Sequence, residues 1–183
     1  MSRGRKYNLD PVQTIPDPET ATAAAFLIEA EDRLIDLVET ANQTQLHFKP
    51  EGSYLSMANL TKHMTWAEMV WISKISTVPI PHKVQEFTGT PAPQALPELT
   101  EGNEGAHEFI STIHTLRTEY TIPALAKVTD FRANVAAEGM PGGPDTVGKI
   151  ISHLIWHWTY HTGQVGLLLL QGGFDYSWSF EKN

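Results

Sequence analysis

The residues with the most chemical potential in this chain are histidines. Between positions 151 and 164 the sequence reads Ile151-Ser152-His153-Leu154-Ile155-Trp156-His157-Trp158-Thr159-Tyr160-His161-Thr162-Gly163-Gln164, with a histidine at every fourth residue. On a helix, residues i and i+4 share a face one turn apart. Two imidazoles so placed can reach one metal ion, the geometry that HExxH helices exploit. Three cannot easily do so. His153 and His161 stand roughly 12 Å apart along a rigid axis, while zinc–nitrogen bonds are only about 2.0–2.1 Å long. One adjacent pair must therefore be chosen, and a third donor must come from elsewhere.

His63 is the best third donor. It lies in a helical stretch over residues 53–75 whose inner stripe reads Leu60, His63, Met64, Ala67, Val70, Trp71 and Lys74. A buried imidazole needs a partner, and a metal ion would be one. Each feature alone has a bland reading: an HxxxH pair is a weak signal, and a core histidine is usually just hydrogen-bonded. The case for a metal comes from finding both on inward-facing stripes. Glu68, five residues beyond His63, turns away from that face and reads as a solvated helix residue. Tyr160 and Gln164 can orient a ligand or substrate. Trp66, Trp71, Trp156 and Trp158 can line a pocket or fill a core. His47, His82, His107 and His114 form no constellation. The sequence has no P-loop, no GxGxxG after a strand and no GxSxG elbow.

The elements that must position these histidines read as helices. Residues 1–16 look like a flexible arm. Asp17-Pro18 is a helix start, followed at helical spacing by Phe26, Leu27, Ala30, Leu34, Leu37, Val38 and Ala41, with Glu29, Glu31, Asp32, Arg33 and Asp36 between them. Lys49-Pro50-Glu51-Gly52 breaks the chain before the second helix. Residues 77–104 contain Pro79, Pro81, Pro91, Pro93 and Pro97 and read as a long crossover. A third helix runs from about Gly105 to Val135, interrupted or kinked at Pro123. Residues 139–144 are a Gly/Pro break, Asp145 or Thr146 can cap a fourth helix ending near Leu170, and Gln171-Gly172-Gly173 stops it. This is an all-α four-helix bundle over residues 17–172, with the crossover between helices two and three. Residues 173–183 form an aromatic tail (Phe174, Tyr176, Trp178, Phe180) expected to pack on the bundle or at a subunit contact.

Composition narrows the functions. Thirteen basic and twenty-one acidic residues give a formal charge of −8, which argues against a nucleic-acid partner. No apolar run approaches the roughly 20 residues of a membrane span, and the start lacks a secretory h-region, so a cytoplasmic location is expected. There is no cysteine, so neither a thiolate ligand nor a cysteine nucleophile is available.

The segments Leu60-Thr61-Lys62-His63-Met64-Thr65-Trp66-Ala67-Glu68 and His153 to Gln164 resemble the DinB/YfiT-like metalloproteins, the second matching that family's H-x3-H-x3-H-x-G-Q ending. The resemblance covers roughly residues 18–172. It implies a four-helix bundle, often a homodimer, with a three-histidine site for zinc, nickel or a similar divalent ion. By that resemblance the ligands are His63, His157 and His161, and His153 becomes second shell or pocket lining, with Gln164, Tyr160 and Trp66 nearby. Where relatives often carry His or Arg near position 162, this chain has Tyr160 and Thr162, a departure that touches the surroundings of the site. Characterised relatives include S-transferases and isomerases that use low-molecular-weight thiols such as bacillithiol or mycothiol. The implied activity is a metal-dependent transfer of a thiol co-substrate to a small electrophile. A metal-activated hydrolase and a non-catalytic metal- or ligand-binding stress protein are the alternatives.

Overall fold

Several helix starts in this chain are set by short polar side chains. The Asp17 carboxylate accepts from the Thr20 backbone N–H at 2.8 Å, and Pro18 takes the first helical position, where its missing N–H leaves nothing unsatisfied. The computed structural model describes residues 9–52, 55–88, 104–135 and 145–174. Helix α1 spans Pro18–Glu39, and a short α2, Gln43–His47, follows under an Asn42/Gln45 capping box. Helix α3 spans Met57–Ile72 behind a Ser56 cap, and α4 spans His82–Thr88. Helix α5, Ala106–Thr115, runs on without a break through a π-helical segment, Leu116–Thr121, into α6, Ile122–Leu125. Strands β1 (Asn134–Val135) and β2 (Asp145–Thr146) pair antiparallel over two residues, and α7 spans Val147–Gln171.

The chain is all-α in architecture. Helix α7 packs against α1 and α3, and the α5–α6 rod packs against the same two helices. Helices α1 and α3 therefore face each other across the centre. The core is built from Leu27, Leu34 and Val38 of α1, Leu60, Met64 and Ile72 of α3, Phe109, Ile113 and Leu116, and Ile150, Leu154, Trp158 and Val165 of α7. Helix α7 ends as its sequence dictates. Gly173 adopts φ +69°, the Phe174 N–H reaches the Leu169 carbonyl and the Gly173 N–H reaches the Leu170 carbonyl, a Schellman closure.

Several expectations are corrected. Residues 9–16 are tethered rather than free, though mostly exposed: Ile15 is buried, and the Val12 N–H bonds the Ala21 carbonyl. Phe26 does not join the inner stripe of α1 but is 45 % exposed, whereas Glu31, read as surface, is buried. The crossover holds α4, which starts directly after Pro81 and packs Phe87 edge-on against Phe109 at 5.3 Å. The third helix stops at Leu125 instead of reaching Val135. Pro123 cannot donate to the carbonyl four residues back, and the preceding turn widens so that the Ile122 N–H bonds Arg117. Val128 and Val135 are still buried, but by a chain reversal whose Phe131 and Ala133 carbonyls accept from Gly148 and Val147 at the start of α7. The Gly/Pro break expected at 139–144, and residues 175–183 of the aromatic tail, lie outside the described residues. Phe174 packs edge-on against Phe48.

Candidate metal centre

Helix α3 carries few charges in sixteen residues and is buried on nearly every side. Its threonines are satisfied locally. The Thr61 hydroxyl donates to the Met57 carbonyl, and the Thr65 hydroxyl donates to the Thr61 carbonyl, both at 2.8 Å. That lets the helix sink between its neighbours and present His63 to α7. On α7, Ile150, Leu154, Val165 and Leu168 fix the inward face, and His157 and His161 lie on the same stripe.

One ring nitrogen from each of His63, His157 and His161 falls within 4.8 Å of the others, a group that could hold a metal ion. The Nε2 atoms of His63 and His157 are 3.0 Å apart. Ring centroids lie 4.9 Å apart for His63 and His157, 5.0 Å for His63 and His161, and 4.5 Å for His157 and His161. Donors bound to one ion by bonds of about 2.0–2.1 Å sit roughly 3 Å from each other; the His63–His157 pair already has that spacing, and a small side-chain adjustment brings His161 to the same ion.

The electrostatics point the same way. Burial, reinforced by the neighbouring imidazoles, pushes His157 down to about 3. Burial and His161 push His63 down to about 4. Burial also lowers His161, opposed by its bond to Gln164. All three rings are neutral at pH 7 and keep a lone pair to offer a metal. His157 Nδ1 is buried without a hydrogen-bond partner, and its Nε2 faces that of His63 at 3.0 Å, where one neutral ring can donate to the other or both lone pairs can meet a cation. His161 is the best oriented of the three. Its Nδ1 lies 2.6 Å from Gln164 Oε1 and so donates to it, leaving Nε2 unprotonated, and Gln164 Nε2 reaches the Tyr160 hydroxyl at 3.4 Å.

His153 stays outside this group. Its ring stacks on His157 at 5.7 Å and leans on Trp71 at 4.6 Å. Trp66 stacks against His63 at 6.5 Å, and the exposed Trp156 and Tyr160 stack on each other at 5.2 Å beside His161. Trp158, a candidate for pocket lining, is instead fully buried. Sequence reasoning misplaced Glu68. It is 0 % exposed, and its carboxylate accepts from the Trp158 indole at 2.7 Å and from the Thr121 hydroxyl. The available signal was the helix as a whole, since a glutamate on a helix apolar all round has no solvent face to occupy. Among the described residues no helix is long and apolar enough to cross a membrane.

The family model of the DinB family matches residues 18–179 of the chain. No curated protein matches it.

Proposed function

The chain belongs to the DinB family, and from that premise we propose that His63, His157 and His161 bind a divalent ion, zinc or nickel, in an enzyme that transfers a low-molecular-weight thiol to a small electrophile. The observation that carries the reading is the donor set. Three neutral imidazoles from α3 and α7 converge, and among the described residues no fourth histidine, aspartate or glutamate joins them. Three protein ligands leave room for an exogenous one, the mark of a catalytic rather than a structural site. That also weighs against a closed, purely storage-type centre.

Imidazoles bring no charge, so a bound ion would keep its full 2+ and lower the pKa of a thiol or water enough to supply a nucleophile at neutral pH. The chain's own residues prepare for this. Burial keeps the three rings unprotonated. Gln164 fixes the tautomer and tilt of His161. The Tyr160 hydroxyl accepts from Gln164, leaving its own proton to donate to an incoming group. Trp66, Trp156 and Tyr160 give the neighbourhood apolar faces on which a small organic substrate can lie. With no cysteine in the chain, the attacking sulfur must arrive on a co-substrate.

Elemental analysis of untagged protein tests the centre, with one equivalent of a divalent metal expected. Metal-loaded protein is then assayed with a panel of cellular thiols and a model electrophile. Confirmed metal without turnover for any pair overturns the transferase reading, and turnover of esters or amides without thiol replaces it with a hydrolase.

A further inference from the structure

On α7 the residue after His157 serves a second polar cluster, which the proposed reaction does not use. Trp158 points into the core and donates to Glu68 of α3. Glu31 of α1, 1 % exposed, faces the fully buried Glu68 across the centre of the bundle, near enough that each carboxyl influences the other. Glu31 Oε2 accepts from Arg117 Nε, and the same guanidinium holds Asp32. Glu31 Oε1 is buried with no hydrogen-bond partner. Two ionised carboxylates have only lone pairs to offer each other, so this contact requires a proton between them.

The charges demand the same. Arg117 ion-pairs with Glu31 and Asp32 and acts on Glu68 only at a distance, so the buried Glu31–Glu68 pair shares its charge with a third carboxylate. Among the described residues the other titratable groups facing it are Tyr120, whose hydroxyl bonds the Met69 carbonyl, and His114 of α5 beside Arg117 and Asp32. From α7 the facing group is the neutral Trp158 indole. Neither Tyr120 nor His114 supplies a positive charge at neutral pH.

We propose that Glu31 carries the shared proton and donates it to Glu68, and that this clasp, extended through Trp158, is a positioning element that holds α3 and α7 at the separation where His63 meets His157 and His161. Its last clause rests on the metal reading; the shared proton does not. Burial, with Glu68 adjacent, raises the Glu31 carboxyl well above the usual carboxylate range. Glu68 is raised less decisively, because Thr121, Trp158 and Glu31 all donate to it.

A carboxyl raised in the folded state contributes stability that is complete below its unfolded pKa, about 4.3. That contribution declines as pH climbs toward the folded value, by about tenfold in the folded-to-unfolded ratio per pH unit. Glu31→Gln keeps an acceptor for Arg117 and an N–H donor for Glu68 but cannot titrate. Trp158→Phe removes the extension to α7. Urea unfolding of metal-free protein from pH 5 to 9 should show the wild type losing stability relative to Glu31→Gln with that slope, while the hydrogen-bonded Trp158 indole proton persists in NMR spectra of both. Ni2+ titration at pH 7.5 should find Glu31→Gln close to wild type and Trp158→Phe at least about tenfold weaker, the range for groups that orient ligands. Parallel pH profiles for wild type and Glu31→Gln overturn the shared proton. Unchanged Ni2+ affinity in Trp158→Phe overturns the positioning role. Absence of Ni2+ binding by the wild type overturns the metal reading and the positioning role together, and the pH comparison alone then decides the proton.

Discussion

Acidification of the metal-free protein offers the most direct test of the histidine centre, because the site is built from groups that refuse protons. His157 is 7 % exposed, and its pKa is pushed down to about 3 by burial and by the imidazoles around it. In the unfolded chain it titrates near 6.5. The folded value is the lower one, so the stability it contributes is intact above about pH 6.5 and drains away as the pH falls toward 3. Each unit of pH below 6.5 costs about 1.4 kcal/mol for one such group. At pH 5 the loss assigned to His157 is therefore about 2 kcal/mol, against a total stability of about 5–15 kcal/mol for a domain. His63, half-buried and pushed down to about 4, adds in the same direction but less, since water screens its exposed part.

The perturbation is His157→Gln, similar in size and neutral at every pH. Urea unfolding of metal-free wild type and variant at pH 7 and pH 5 gives the comparison, and carboxylate titrations common to both cancel. The wild type should lose about 2 kcal/mol more than the variant over that interval, equivalent to about 4–8 °C in Tm for a chain of this size. Adding metal at a hundred times its Kd should restore about 2.7 kcal/mol to the wild type at pH 7 and nothing to the variant. Equal acid losses in the two proteins would refute the account of His157 as a buried neutral base, and with it the preparation of the site for a cation.

Three further outcomes follow from the same geometry. Gln164→Ala frees the His161 ring and should weaken metal binding by about 10–100-fold with the helical circular dichroism unchanged. His63→Ala should abolish stoichiometric metal in elemental analysis while His153→Ala, whose ring stands outside the cluster, and His114→Ala retain it. Gly173→Ala forces a side chain into φ +69° at the end of α7 and should cost about 1 kcal/mol in urea unfolding without touching metal affinity.

What the sequence revealed and what it hid divide along a physical line. The histidine face of α7 was readable because i, i+4 spacing maps directly onto one side of a helix. The Asp17-Pro18 start and the Gly172-Gly173 stop were readable because caps are chosen by local backbone chemistry. Glu31 was not readable, and Glu68 only from the apolar character of α3 as a whole. Periodicity assigns a charge to the solvent face, and each has its justification on another helix, in Arg117, Thr121 and Trp158. Arg117 is doubly hidden, because it lies in a π segment, Leu116–Thr121, whose wider turn departs from the 3.6 count. Apolar spacing beyond Pro123 resembled more helix, when Val128 and Val135 reach the core through a turn and a two-residue strand. Helix α4 escaped notice between prolines that mark its borders rather than its absence.

The two polar clusters have a common consequence for the bundle. An apolar seam between α3 and α7 would tolerate sliding, since leucine and methionine side chains repack at modest cost. A slip of one turn, about 5.4 Å, would carry His63 out of reach of His157 and His161. The Glu68–Trp158 bond does not tolerate that slip, because a buried carboxylate stripped of a donor costs about 1–3 kcal/mol or more. On α7 the two contacts come from adjacent residues roughly 100° apart around the axis, so one restrains the rotation of the helix and both restrain its height. Polar groups in the core are thus spent on register, the property three convergent imidazoles need most and a greasy interface supplies least.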